Sequence, residues 1–137
     1  MHSRFDAARS VTVFAPGGQA TAYLAESFGL RFLGLMRVPA EDVEPLLFPR
    51  CRSLHMYWMR TPIDVVWLDL DLDAGRARVL GIVENLPKRH GATAPKAADS
   101  GQRSRIAALE LAPGEAARLR FSDGLDISLS VESPPRG

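Results

Sequence analysis

The segment Ile63–Leu70 constrains the fold of this chain more than any other, because it is apolar on both sides of a strand pattern. Only Asp64 and Asp69 interrupt it. A strand that buries both of its faces lies between two packed layers or in the wall of a barrel. A glycine-containing turn and an alternating run over 78–84 follow, which predicts an antiparallel hairpin at the centre of the sheet.

Short strands also dominate the rest of the pattern, and no alternation of strands with long helices is present. A short helix is expected within 26–36, ending near Gly34. We therefore predict a mainly β fold, which is a β-sandwich, a jelly-roll-like fold or a partly open barrel with one or two short helices. The other predicted strands are residues 10–14, 19–25, 50–59, 106–111 and 125–131.

The chain has 137 residues, which is enough for one domain with one hydrophobic core. We expect residues 1–137 to form a single domain with its core at about 10–131 and a frayed tail at 132–137. Residues 85–104 contain two prolines and two glycines, but no aromatic residue and no periodicity. This composition predicts a long loop, and loops of that length are usually functional or disordered.

Charge and composition argue against several classes of partner. Lys and Arg number 17 and Asp and Glu 16, so there is no overall field to attract nucleic acid. The basic residues of the 85–104 loop lack the interleaved aromatics that stack on bases. No run approaches the ~20 apolar residues of a membrane-spanning helix. We expect no nucleic-acid or membrane partner, and a cytoplasmic protein unless a leader directs its export.

Acidic residues at the end of the central strand are spaced like the start of a calcium loop. Asp69, Asp71 and Asp73 alternate there. The calcium-binding pattern requires glycine at its sixth position and glutamate at its twelfth, which here are Ala74 and Leu80. The single cysteine also rules out a four-cysteine zinc site. We therefore predict neither a metal site nor a cofactor.

Cys51 and His55 suggest a nucleophile and a base, and Asp64 completes a triad on paper. In a strand, however, residues four apart lie ~13 Å apart, so the two side chains share a face without touching. A hydrolase that uses Cys51 or a metal-bound water, with His55 as base, remains an alternative function.

Charged residues beside apolar segments form the third candidate set. When such residues are buried they are generally paired, and an arginine–carboxylate pair is one structural interpretation. The functional interpretation is a site for a carboxylate or another anion, built on the arginines. The residues of this set are Arg37, Arg60, Asp64, Glu84 and Glu110.

Three motifs in order resemble those of an uncharacterised family, domain of unknown function 192, over about Val11 to Val131. The resemblance implies a single mainly β domain without an established activity or catalytic mechanism. It also implies that Arg37, Trp58, Met59, Asp64 and Glu110 matter to the fold or to a shared site. The motifs are Gly34-Leu35-Met36-Arg37, then Trp58-Met59-Arg60-Thr61-Pro62-Ile63-Asp64, then Leu109-Glu110-Leu111-Ala112-Pro113-Gly114.

The function expected from these observations is a non-enzymatic module that binds a small molecule or a protein partner beside the long loop. A purely structural or accessory domain is the remaining alternative. We predict no catalytic residues, and we leave the oligomeric state open. The predicted ligand-binding residues are Arg37, His55, Trp58, Arg60, Asp64 and Glu110.

Overall fold

A computed structural model describes residues 9–25, 44–55, 62–87, 90–95 and 105–133, with the backbone alone at 54–55. Strands dominate these residues, and one helical turn accompanies them. The mainly β prediction is therefore confirmed. In chain order the elements are β1 (Ser10–Ala15), β2 (Gly18–Leu24), β3 (Leu46–Phe48), β4 (Ser53–His55), β5 (Ile63–Asp71), β6 (Arg76–Leu86), β7 (Gly91–Thr93), β8 (Ile106–Leu111), α1 (Glu115–Arg118) and β9 (Asp126–Glu132).

Seven strands of the described residues close into a barrel in the order β1-β2-β3-β8-β5-β6-β9. The barrel closes because β1 pairs with β2 on one side and with β9 on the other, so that Val13 is opposite both Ala20 and Leu129. Closure gives each of the seven strands a partner on both sides. Of the predicted folds, the barrel describes this arrangement, although the ring is closed and not partly open, and a sandwich or jelly roll does not describe it. Alternation in a strand shows which face is buried but not which strand is its neighbour.

Two hydrophobic cores lie on opposite sides of the barrel wall. The first takes residues from all seven barrel strands and fills the interior; Val66 and Leu68 belong to it. The second, which we call the outer core, lies on the outer face of β3, β5, β8 and the end of β6; Val65 and Trp67 belong to it. Alternate residues of β5 therefore enter different cores, which explains why this segment is apolar on both sides.

The segment 85–104, predicted to be a loop, contains strand residues in both of its described parts, 85–87 and 90–95. β6 continues to Leu86, and β7 pairs antiparallel with β4 in a separate two-stranded sheet. Ala92 and Ala94 pack against the outer core, so this small sheet covers part of the barrel wall. Residues 88–89 and 96–104 lie outside the described part, as do the predicted helix within 26–36 and the predicted strand 50–59 beyond His55.

The helical turn α1 closes one end of the barrel. Ala116 and Leu119 belong to the interior core. The turn between β1 and β2 packs directly against it, and the Gly17 N–H donates to the Leu119 carbonyl at 3.0 Å. No helix among the described residues is long and apolar enough to cross a membrane.

Candidate functional site

Asp64 is fully buried at the start of β5, and its carboxylate accepts hydrogen bonds from backbone N–H groups. One oxygen accepts the N–H of Asn85 at 2.8 Å, and the other accepts those of Gly114 at 2.9 Å and Ala116 at 3.0 Å. Gly114 is the N-cap residue of α1, and it has no side chain that could accept the free N–H groups of the first turn. Asp64 supplies this cap from a strand, so its described contacts hold α1 and the end of β6 against the barrel.

Within the described ranges, Glu110 is the other buried residue with a charged side-chain type. Its surroundings differ from those of Asp64. It lies in β8 between Leu46 of β3 and Val65 of β5, and it is only 2% exposed. Its Oε2 is buried and has no hydrogen-bond partner among the described residues. Burial raises the pKa of Glu110 to about 8, so the side chain is a neutral carboxylic acid at pH 7.

Trp67 places a second buried polar atom on the same face of the sheet. It is 1% exposed, and its indole Nε1 has no hydrogen-bond partner in the part of the chain described. Trp67 is opposite Ala108, two residues before Glu110 in β8. Such diagonal neighbours lie roughly 7–8 Å apart, within reach of aromatic and long side chains. We call Glu110 and Trp67 the outer polar pair.

The two predicted acidic site residues lie on opposite faces of the barrel wall. Glu110 is opposite Val65 in the register of β5 and β8, whereas Asp64 is opposite Leu111. Successive residues of a strand point to opposite faces. The Asp64 carboxylate therefore faces the barrel end closed by α1, and Glu110 faces the outer core. The structure does not bring these two carboxyl groups into one site.

The remaining predicted site residues are described in part or not at all. The backbone of His55 pairs with Gly91 in the β4–β7 sheet, and its side chain lies outside the described part. Arg37, Trp58 and Arg60 also lie outside it. Their role in ligand binding stays a prediction from the sequence.

Cys51 belongs to the outer core and is 9% exposed. Its backbone N–H donates to the Ile106 carbonyl at 2.8 Å, and its thiol donates to the Ser53 carbonyl at 3.3 Å. A thiol held in this way acts as a small buried side chain with a weak donor. Its described contacts anchor the segment before β4 to β8.

The acidic residues at the end of β5 pair with arginines or stabilise the turn. Arg105 forms an ion pair with Asp69 at 2.9 Å, and Asp71 accepts the backbone N–H of Ala74 at 3.0 Å. Nearby, Arg78 pairs with Asp126 and holds the pKa of that carboxyl below its usual value. Over the described ranges, no group of three or more histidine, cysteine or acidic side chains is arranged to hold a metal ion.

The outer polar pair includes one residue that the sequence analysis did not single out as a site residue. Trp67 was counted only among the apolar positions of β5. A buried tryptophan usually finds a partner for its indole N–H. The signal available in the sequence was a tryptophan, which has a polar N–H group, inside a strand that buries both faces. That Glu110 lies near it depends on the pairing of β5 with β8.

Fold and site together define a closed, mainly β barrel with a polar pair buried on its outer wall. Residues 11–129 match the model of domain of unknown function 192, described as "Uncharacterized ACR", and the chain belongs to this family. A crystal structure of a protein of unknown function from Novosphingobium aromaticivorans is similar, with 26% sequence identity and a TM-score of 0.61. The match covers 88% of this chain and 83% of that chain. No curated protein matches the chain.

Proposed function

We propose that this domain is a non-enzymatic binding module for a small molecule, with its site at the outer polar pair. The observation that carries the proposal is the Oε2 atom of Glu110, buried without a hydrogen-bond partner among the described residues. Buried polar groups are nearly always paired, and an unpaired one costs about 1–3 kcal/mol. Buried ionisable groups with a strongly raised pKa are concentrated at functional sites.

A second buried polar atom nearby supports a site over a single packing defect. Trp67, whose Nε1 atom is buried, lies on the same face of the sheet as Glu110. It is opposite Ala108, two residues before Glu110 in β8. The apolar side chains around them belong to the outer core, including Leu46 and Ala108. An apolar surface with a few convergent polar groups is the usual composition of a small-molecule site.

The other predicted residues complete the proposed site. His55 belongs to β4, whose partner β7 packs against the outer core through Ala92. This packing supports a position for His55 beside the outer polar pair. Arg37, Trp58 and Arg60 enter the proposal through the family motifs alone. Asp64 contributes indirectly, since it holds the start of β5, the strand that carries Trp67.

We favour binding over hydrolysis because of the contacts of the candidate nucleophile. The Cys51 thiol donates a hydrogen bond to the Ser53 carbonyl, an acceptor that cannot take the proton as a base. A nucleophilic cysteine instead needs a neighbouring base that takes its proton. We favour a small molecule over a protein surface because both polar atoms of the pair are buried.

Native mass spectrometry tests the proposal. The protein would be purified gently, incubated with a desalted small-molecule extract and sprayed under native conditions. We expect a non-covalent adduct on the wild-type protein that is lost in Glu110→Met, which removes the carboxyl at similar volume. Glu84→Gln serves as the matched control, because Glu84 is exposed on β6. A bare wild-type mass, or an adduct that Glu110→Met retains, would contradict the proposal.

A further inference from the structure

One side of β2 has no strand partner among the described residues over most of its length. On the first side, β2 pairs with β1 from Gly18 to Tyr23. On the second side, β3 pairs only with Tyr23 and Leu24, so residues 18–22 extend beyond it. We call residues 18–22, on the side away from β1, the open edge of β2. An unpaired strand edge is a template on which another strand can pair.

The hydrogen bonds at the end of β2 show which backbone groups point to the open edge. The N–H of Leu24 donates at 2.8 Å to the residue before β1, and the N–H of Tyr23 donates at 3.0 Å to the residue before β3. Backbone groups alternate in direction along a strand, so Gln19 and Thr21 also direct their N–H and C=O groups away from β1. Both residues are exposed. The open edge therefore presents backbone donors and acceptors to solvent.

The two ends of the open edge have identifiable causes. The register of β2 and β3 places the nitrogen of Pro45 opposite the carbonyl of Thr21, and proline has no N–H to donate to it. The pairing with β3 therefore stops at Tyr23. At the other end, α1 comes close, since a Cβ on Gly18 would lie 3.8 Å from the Leu119 side chain.

We propose that the open edge of β2 binds an extended segment of a protein partner, which adds to the barrel as a strand. The carbonyl groups of the segment accept the N–H groups of Gln19 and Thr21, and its N–H groups donate to their carbonyl oxygens. A second copy of this chain fits less well. A stretch as short as residues 19–21 supplies few of the roughly 20–30 residues a side that a stable interface requires.

Hydrogen exchange of the full-length protein tests the open edge itself. We expect the amides of Gln19 and Thr21 to exchange about 100-fold faster than those of Ala20 and Ala22, which point to β1. Equal protection of all four amides would show that the edge is covered, and would overturn the proposal.

A short peptide tests the binding of a strand. The probe is acetyl-Thr-Val-Thr-Val-Thr-amide, N-methylated at alternate residues so that one of its edges pairs and the other cannot aggregate. Amide NMR spectra of the full-length protein are followed during the titration. We expect saturable shifts at Gln19 and Thr21, with a dissociation constant on the order of 1 mM for so short a segment. The same peptide N-methylated at every residue should cause no such shifts.

Two substitutions at one position connect the shifts to the backbone of the open edge. Thr21→Pro removes the N–H, whereas Thr21→Val keeps it, and both lose the hydroxyl that hydrogen-bonds to Thr12. Proline is tolerated at strand edges, so we expect Thr21→Pro to fold and to bind the peptide about fivefold or more weakly. Thr21→Val should bind it as the wild type does.

Three results would overturn the proposal. The first is the absence of saturable shifts at Gln19 and Thr21 with the pairing-competent peptide. The second is equal binding of the fully N-methylated peptide, which would show that main-chain pairing is not involved. The third is a shift of the same amides with protein concentration alone, which would make a second copy of this chain the occupant.

Discussion

At the scale of the residue, two acidic side chains on neighbouring strands have opposite surroundings. Asp64 accepts three backbone hydrogen bonds, whereas the Glu110 Oε2 accepts none from the described residues. Both are buried, so exposure alone does not separate them. The difference arises because Asp64 points to the barrel end, where the first N–H groups of α1 donate to it, and Glu110 points to the apolar outer core.

The raised pKa of Glu110 predicts that stability falls as the pH rises. The unfolded chain releases this proton near pH 4.3, and the folded chain releases it near its pKa of about 8. Between these two pH values the folded state therefore binds more protons than the unfolded state. The contribution of this group to the free energy of unfolding is complete below about pH 4.3 and is lost as the pH rises through about 8. Urea unfolding at pH 5 and pH 8.5 should show a decrease in the free energy of unfolding.

Glu110→Gln should flatten this pH dependence, because the amide is isosteric and does not titrate. Glu84→Gln should retain the wild-type slope, since Glu84 is exposed. The same slope in wild type and Glu110→Gln would show that another group causes it.

The three hydrogen bonds of Asp64 predict a large effect of a nearly isosteric substitution. Asp64→Asn keeps one acceptor oxygen but turns an NH₂ group toward backbone donors. We expect the free energy of unfolding to fall by about 2–4 kcal/mol. Asp123→Asn, at an exposed turn position, should change it by less than about 0.5 kcal/mol in the same urea titration. Equal effects of the two substitutions would contradict the capping role.

At the scale of the element, α1 is stable because three sets of contacts hold it. A four-residue helix is too short to form alone in water. Asp64 of β5 caps its N-terminus, Leu119 packs into the interior core, and the β1–β2 turn covers its C-terminal end. The helical turn α1 therefore depends on contacts distant in sequence.

The contact between the β1–β2 turn and α1 predicts that Gly17 tolerates no side chain. A Cβ at Gly17 would lie 2.2 Å from the Arg118 carbonyl oxygen and 2.8 Å from the carbonyl carbon of Leu119, so backbone would have to move. Gly114→Ala is the matched control, because its Cβ would meet no atom within 4 Å and only the positive φ of 89° opposes it.

Thermal and urea unfolding would compare the two glycine variants. We expect Gly114→Ala to cost about 1 kcal/mol from backbone strain and Gly17→Ala to cost more than about 3 kcal/mol. A Gly17→Ala variant as stable as Gly114→Ala would show that the turn moves away from α1 without loss.

At the scale of the whole molecule, the closed ring places β1 between two hydrogen-bonded partners. Val11 is opposite Ala22 in β2 and Val131 in β9. A partly open barrel would leave one side of this strand unpaired. Closure also separates the interior core from the outer core, and the outer polar pair belongs to the outer face of the wall.

Closure predicts slow hydrogen exchange at the first and last strands. Native-state exchange should show protection at Val11, Val13 and Leu129 comparable to that of Val66 in β5, because all of them lie in paired strands. The amide of Asp123, in the exposed turn before β9, provides a fast-exchanging reference. Rapid exchange over 11–13 and 129–131, together with slow exchange in β5, would indicate an open ring.

The strands could be predicted where a segment's own pattern is sufficient. The expected strand at 106–111 is β8 as observed, and those at 10–14 and 63–70 are each one residue shorter than β1 and β5. The three residues of β7 could not be predicted, because Gly91-Ala92-Thr93 has little strand pattern and pairs only through contact with β4. Asp64 and Glu110 were both recognised as unusual, and the partners that distinguish them come from other strands.

The sequence by itself determined that this is a mainly β chain, that its central strand buries both faces and that it carries the motifs of its family. These properties follow from the two-residue period of a strand and from residue types in order. Only the tertiary structure decided that the ring closes, that Asp64 caps α1 and that Trp67 lies beside Glu110 in the outer core. The physical reason is register: the period of a strand shows which residues are buried, whereas pairing with distant strands decides what each buried residue contacts.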